Sequence, residues 1–123
     1  HIVITDINHH VRNFLQRELE KEGYAVYSMK TGASAYDYIF TSGPLDLMIL
    51  DPEVFHPFNQ TLIGEIIDRR PSLPLIIHTY ADSIDEIKVD DNIHWVEKSG
   101  QSIAELKSTI RTCFDIILEK KTL

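Results

Sequence analysis

The chain of 123 residues lacks several features that would mark a specialised class. Its one cysteine, Cys113, cannot close a disulfide within the chain, which removes the stapled secreted domains and fits a reducing cytosol. Lys and Arg number 12 against 19 Asp and Glu, a formal net charge of −7, and no basic run occurs. A nucleic-acid surface needs clustered cations, so direct nucleic-acid binding is not expected. No apolar stretch approaches the roughly 20 residues of a membrane span, and the opening HIVITD lacks the basic-then-apolar order of a signal peptide. The expectation is a cytoplasmic chain without a membrane segment. Internal repeats, low-complexity stretches and a Gly-rich phosphate loop are also missing.

What is present suits one compact domain. Hydrophobic residues make up 43% and charged residues 25%, an ordinary globular balance. We expect a single domain over residues 1–123, with a last helix over about 102–120 able to lead into an output domain. Ile2-Val3-Ile4-Thr5 is β-branched without polar alternation, as in a strand covered on both faces. Val11, Phe14, Leu15 and Leu19 follow at helical spacing, and Gly23 stands where a helix C-terminal cap belongs. Further strands are expected at Tyr24 to Met29, Leu45 to Leu50, Leu75 to Ile77 running into His78-Thr79, and Ile93 to Glu97. Helices are expected at Ala33 to Phe40, about Gln60 to Arg70, Asp82 to Val89, and onward from Ser102, whose spacing to Glu105 is that of a capping box.

Five strands alternating with five helical segments predict an α/β, doubly wound, five-stranded parallel sheet. Ligand sites in such folds lie beyond the carboxyl ends of the strands. The residues found there are Asp6, Asp51, Thr79 and Lys98. Two carboxylates are hard oxygen ligands suited to Mg²⁺, and a hydroxyl with an ammonium can meet phosphate oxygens. A carboxylate can also attack phosphorus and form an aspartyl phosphate.

With IVITD, LDLMILD, PLIIHT and HWVEK in this order, the chain resembles the receiver domains of two-component response regulators over essentially its whole length. The resemblance implies a flavodoxin-like sheet of order 2-1-3-4-5 and a signalling module, not an enzyme turning over a substrate. It places Asp51 on the phosphoacceptor, Thr79 on the hydroxyl that turns to the phosphoryl group, and Lys98 on the lysine that pairs with it. Trp95 takes the place of the aromatic whose rotamer follows phosphorylation. The implied cofactor is Mg²⁺, and the implied partner is a sensor histidine kinase or phosphotransfer protein. A homodimer or output domain would use the face between the fourth helical segment and the last helix.

Departures from the family pattern bear on chemistry. Receivers usually carry two adjacent acids after the first strand, and this chain has one. Matching Val11-Arg12 to the start of the first helix makes Asp6 the first acid, with Ile7 in place of the second; the other register puts Thr5 in place of the first. The former leaves Asn8 free to cap the helix. Either way the Mg²⁺ site loses an oxygen, and weak binding is expected, with Asp6, Asp51 and Glu53 as ligands and Glu53 in partial compensation. Tyr80 stands where a small residue keeps the entrance open, so slow phosphorylation is expected. Ser99 replaces the proline that usually follows the lysine in a cis peptide. Because a non-proline cis bond costs about 2.5–4 kcal/mol, a trans bond and a differently aimed Lys98 are expected. The fifteen residues between Thr79 and Trp95 allow only a short fourth helix.

Two other readings compete with a working phosphoacceptor. A pseudo-receiver would keep the fold and signal by protein contact alone. A phosphatase using Asp6 or Asp51 as nucleophile would need a second Asp two residues on, and Asn8 stands after Asp6 instead. The pair His9-His10 lacks the four-residue spacing that aims two imidazoles at one metal from a helix. Cys113 is expected to pack as a small apolar residue.

Overall fold

A computed structural model of the chain describes residues 1–40, 43–56, 59–80 and 92–122. Strand β1 (Ile2–Thr5) lies in the interior of the sheet and leads into helix α1 (His9–Lys21). Strand β2 (Val26–Met29), helix α2 (Gly32–Phe40) and strand β3 (Leu47–Leu50) follow. After a 3₁₀ turn at Pro52–Phe55 come helix α3 (Asn59–Arg69), strand β4 (Leu75–Thr79), strand β5 (Ile93–Glu97) and helix α4 (Ser102–Thr122). All pairings are parallel and the order is β2-β1-β3-β4-β5. This is the doubly wound topology expected from the strand-helix alternation. The helix expected over Asp82 to Val89 lies outside the described residues.

Strand register explains where two expected strands start late. Ile2 of β1 aligns with Val26 on one side and Leu47 on the other, so Tyr24 and Leu45 precede any partner. The last helix runs two residues past the expected Lys120.

Alternation along the strands divides the core in two. Val3, Met48, Leu50 and Ile77 pack with Ala35 and Ile39 of α2 and Ile63 and Ile66 of α3. Ile2, Ile4, Leu47, Ile49, Ile76 and Val96 pack with Leu15 and Leu19 of α1 and with Leu106, Ile110 and Cys113 of α4. Cys113 is thus a buried wall residue, and burial raises its thiol pKa. Apolar area buried on both faces of the sheet is the main stabilising term, at about 25 cal/mol per Å².

Helix ends follow local chemistry. The Asn8 side chain accepts the N–H groups of His10 and Val11, the capping expected of it. At the other end Gly23 adopts φ +94, and its N–H donates to Glu20 O while that of Tyr24 donates to Leu19 O. Only glycine enters that region without strain, so α1 stops there.

Gly32 starts α2 directly against the turn that follows β3. A Cβ at this position would lie 2.6 Å from Val54 O and against the Phe55 ring. Gly32→Ala is therefore expected to destabilise the fold by about 1–3 kcal/mol through overpacking against backbone. Urea unfolding would read this as a lower midpoint at unchanged slope.

Candidate functional site

The carboxyl ends of β1, β3, β4 and β5 bring Asp6, Asp51, Thr79 and Lys98 together. Asp51 follows β3 and is 2% exposed. Its N–H is shared between the carbonyl and hydroxyl oxygens of Thr5, both at 3.3 Å. Its Oδ1 accepts the N–H of Glu53 at 3.0 Å, which caps the 3₁₀ turn, and its Oδ2 accepts the Lys98 ammonium at 2.7 Å. Both oxygens are thereby held.

Asp6 is equally buried and is fixed from three directions. Oδ1 accepts the N–H of Asn8 at 2.9 Å, and the Asp6 carbonyl accepts Nη1 of the buried Arg12 at 2.6 Å. Oδ2 lies 2.9 Å from Lys98 Nζ as an ion pair. Lys98 thus bridges the two acids with only 12% of its side chain exposed. Burial alone would lower its pKa, but the hydrogen bonds and charges of Asp51 and Asp6 outweigh burial and raise it. The ammonium stays charged.

Other residues singled out from the sequence fall around this centre. Thr79 ends β4, is buried, and accepts the Lys98 N–H on its carbonyl at 2.7 Å. Tyr80 is 63% exposed, and its ring centroid lies 5.5 Å from Lys98 Nζ, over the mouth of the site. Ile7 is 62% exposed and Thr5 is buried, so neither neighbour of Asp6 adds a carboxylate. Trp95 on β5 pairs with Ile77 and packs half-buried on the α2–α3 side, its indole N–H without a partner among the described residues.

The geometry bears on three expectations. Lys98 lies between Asp6 and Asp51 with Ser99 as its next residue, and the loop is tied by its own hydrogen bonds. Ser99 Oγ accepts the N–H of Gln101 at 3.2 Å, and Ser99 O accepts the N–H of Ser102 at 3.3 Å. Ser102, expected to cap the last helix, is instead its first residue, is buried and donates its hydroxyl to Ser99 O at 3.0 Å. Glu53 is exposed and meets Asp51 through its N–H. Among the described residues no group of three or more Asp, Glu, His or Cys side chains is gathered to hold a metal ion. The donor set offers a divalent cation two carboxylates, Asp6 and Asp51, each already engaged by Lys98. Such a pair fits a hard cation weakly.

Sequence reasoning missed His78 and used Arg12 only as a landmark. His78 is 3% exposed, with Nε2 3.1 Å from Ser102 Oγ and Nδ1 buried without a partner among the described residues. The signal was available: an imidazole inside the otherwise apolar run LIIHT has to be satisfied or neutral. Burial first and the Lys98 charge second push its pKa down to about 4, with Asp6 and Asp51 opposing. Beside it, a groove of about 390 Å³ is lined by His10, Phe14, Tyr80, Lys98, Gly100 and Ile103, among others.

No protein-family model and no curated protein sequence matches the chain. Solved structures do. The response regulator TrrA of Thermotoga maritima, in complex with Mg²⁺ and BeF, superposes with a TM-score of 0.79 at 28% identity, over 91% of this chain and 96% of that one. A receiver protein from Sinorhizobium medicae gives 0.80 at 18% identity over 93% of each chain. TrrA in complex with the histidine kinase ThkA gives 0.74 at 28% identity, over 91% of this chain and 96% of that one. The chain has the fold of response-regulator receiver domains.

Two measurements follow from the site. The folded-state pKa of His78, near 4, lies below its ordinary 6.5, so the unfolded chain binds more protons between these values. Stability contributed by neutral His78 is present above pH 6.5 and is lost as pH falls towards 4, by about 3 kcal/mol over the window. Urea unfolding at stepped pH should show this slope, and His78→Phe should flatten it. For the metal, Ile7→Asp is expected to tighten Mg²⁺ binding about tenfold by restoring an oxygen ligand, with Glu53→Ala nearly neutral. Titration calorimetry checks both.

Proposed function

We propose that the chain is a phosphoaccepting receiver domain of a two-component response regulator, with Asp51 as the acceptor. The observation that carries this reading is the Lys98 ammonium held between Asp6 and Asp51, with Thr79 at the end of the adjoining strand. A carboxylate oxygen of Asp51 attacks phosphorus of a phosphohistidine that is protonated on its other ring nitrogen, the P–N bond breaks with its electron pair going to nitrogen, and neutral imidazole leaves carrying that proton. The product is an aspartyl phosphate carrying about two negative charges. Lys98 then pairs with a phosphoryl oxygen, and the Thr79 hydroxyl donates to another, so that β4 and β5 both feel the modification. A divalent cation held by Asp6 and Asp51, with Glu53 nearby in sequence, would neutralise phosphoryl charge during transfer.

The partner is a histidine kinase or phosphotransfer protein. Ile7, Phe14 and Tyr80 are exposed apolar side chains on segments bordering the Asp51 mouth, and the groove between α1 and the β5–α4 loop lies beside them. An apolar surface around an acidic reaction centre suits a protein donor better than a free anion. The C-terminal half of α4 exposes Ile116 and Leu118 and is the route to a dimer or an output domain. Among the described residues no helix is long and apolar enough to cross a membrane.

One observation favours the pseudo-receiver as second reading: Asp51 is 2% exposed, under Lys98 and close to Tyr80. The two readings separate on incubation with Mg²⁺ and a small phosphodonor, followed by intact-mass measurement. One added phosphoryl group, absent in Asp51→Asn, is expected; no adduct at saturating donor would establish the second reading. Tyr80→Ala should speed labelling several-fold by opening the entrance. Trp95 is the only tryptophan, so intrinsic fluorescence should change with the adduct and stay constant in Asp51→Asn.

A further inference from the structure

Lys98 reaches two buried acids from a loop whose next residue, Ser99, does nothing covalent to stiffen it. The hydrogen bonds of this loop form a chain that ends on β4. Ser99 O accepts both the N–H and the hydroxyl of Ser102, at 3.3 and 3.0 Å. Ser102 Oγ in turn lies 3.1 Å from His78 Nε2. A hydroxyl has one hydrogen, and that of Ser102 is committed to Ser99 O. The proton of the neutral imidazole therefore sits on Nε2 and is donated to Ser102, leaving Nδ1 as an acceptor. Nδ1 is buried and has no partner among the described residues.

That orphan acceptor separates a space-filling role from a directing one. A leucine or methionine at position 78 would fill this buried place without leaving an unsatisfied atom, and the strand is otherwise apolar up to Thr79. What the imidazole adds is a single N–H in a fixed plane, aimed at the hydroxyl that holds the loop. The residue also adjoins Thr79, whose carbonyl accepts the Lys98 N–H at 2.7 Å. The backbone on both sides of the Lys98 side chain is thereby referred to the same end of β4.

We propose that His78 is a positioning residue for Lys98: through the Ser102 hydroxyl it fixes Ser99, and with it the loop that aims the ammonium between Asp6 and Asp51. The relay does in this chain what a rigid residue after the lysine would do. Its consequence for phosphoryl transfer rests on Asp51 being the acceptor; its consequence for Lys98 does not.

The test uses the full chain with lysine labelled for NMR, the Lys98 ammonium signal being assigned with Lys98→Arg. Held by two carboxylates, this ammonium should exchange its protons with water slowly. Ser102→Ala and His78→Phe should each speed the exchange by roughly tenfold, the scale on which losing one buried hydrogen bond acts. The double variant should be no faster than either single, because the residues act as one chain. Ser102→Thr keeps the hydroxyl and should behave as the parent protein. Retained amide signals from the sheet report folding, and if His78→Phe fails to fold, Ser102→Ala decides. Exchange in Ser102→Ala indistinguishable from the parent, or additive effects in the double variant, would overturn the relay. Labelling by the phosphodonor is measured on the same proteins: a parent chain that takes no phosphoryl group defeats the phosphoacceptor reading and leaves the ammonium exchange to decide this one.

Discussion

The ammonium of Lys98 lies 2.9 Å from Asp6 and 2.7 Å from Asp51 in a region that water scarcely reaches, and the surrounding loops are arranged to keep it there. Two carboxylates this deeply buried cannot both stay ionised without a cation between them, because desolvation and mutual repulsion act in the same direction. Each group of the trio is anchored by backbone. Asp6 is held through Asn8 and Arg12, Asp51 through Thr5 and Glu53, and Lys98 through Thr79 and the Ser99 turn. These anchors come from the ends of β1, β3, β4 and β5, so the parallel sheet is the frame on which one ion triad is assembled. The close approach of Gly32 to Val54 and Phe55 extends that frame to α2, which leans on the turn leaving Asp51.

Much of this was legible from residue order. Unbroken apolar runs such as LMIL and IVIT announce strands covered on both faces, and polar residues placed immediately after them mark the mouth of a parallel sheet. Asp6, Asp51, Thr79 and Lys98 follow from that rule alone. What escaped were contacts set by tertiary geometry. Ser102 has the spacing of a capping residue, yet it turns inward because His78 and Ser99 O offer it better partners than the helix end does. Nothing in one dimension shows that the Ser99 carbonyl receives two bonds from Ser102. Glu53 sits two residues from Asp51, which says how near it is and nothing about which of its groups faces inward. Strand starts were placed two residues early at Tyr24 and Leu45 because β-propensity does not see where a partner strand begins.

A pocket of two acids and one ammonium differs in kind from one whose charge must be balanced by a bound ion. With Lys98 shared, the resting site already holds a cation of its own and gains less from a divalent ion than a three-acid pocket would. On the phosphoacceptor reading, modification replaces the single charge of Asp51 by about two on the phosphoryl group. The demand on Lys98 rises, and its partnership with Asp6 becomes the one that can be surrendered. The switch then reduces to how one ammonium divides itself between a fixed carboxylate and a growing anion. A side chain that has to make that choice needs a firm base, since an ammonium free to wander would answer both partners poorly. The strand that carries Thr79 also carries, one residue earlier, the imidazole that meets Ser102 of the Lys98 loop, so on that reading the hydroxyl and the ammonium facing a phosphoryl group are set by the same two residues of β4.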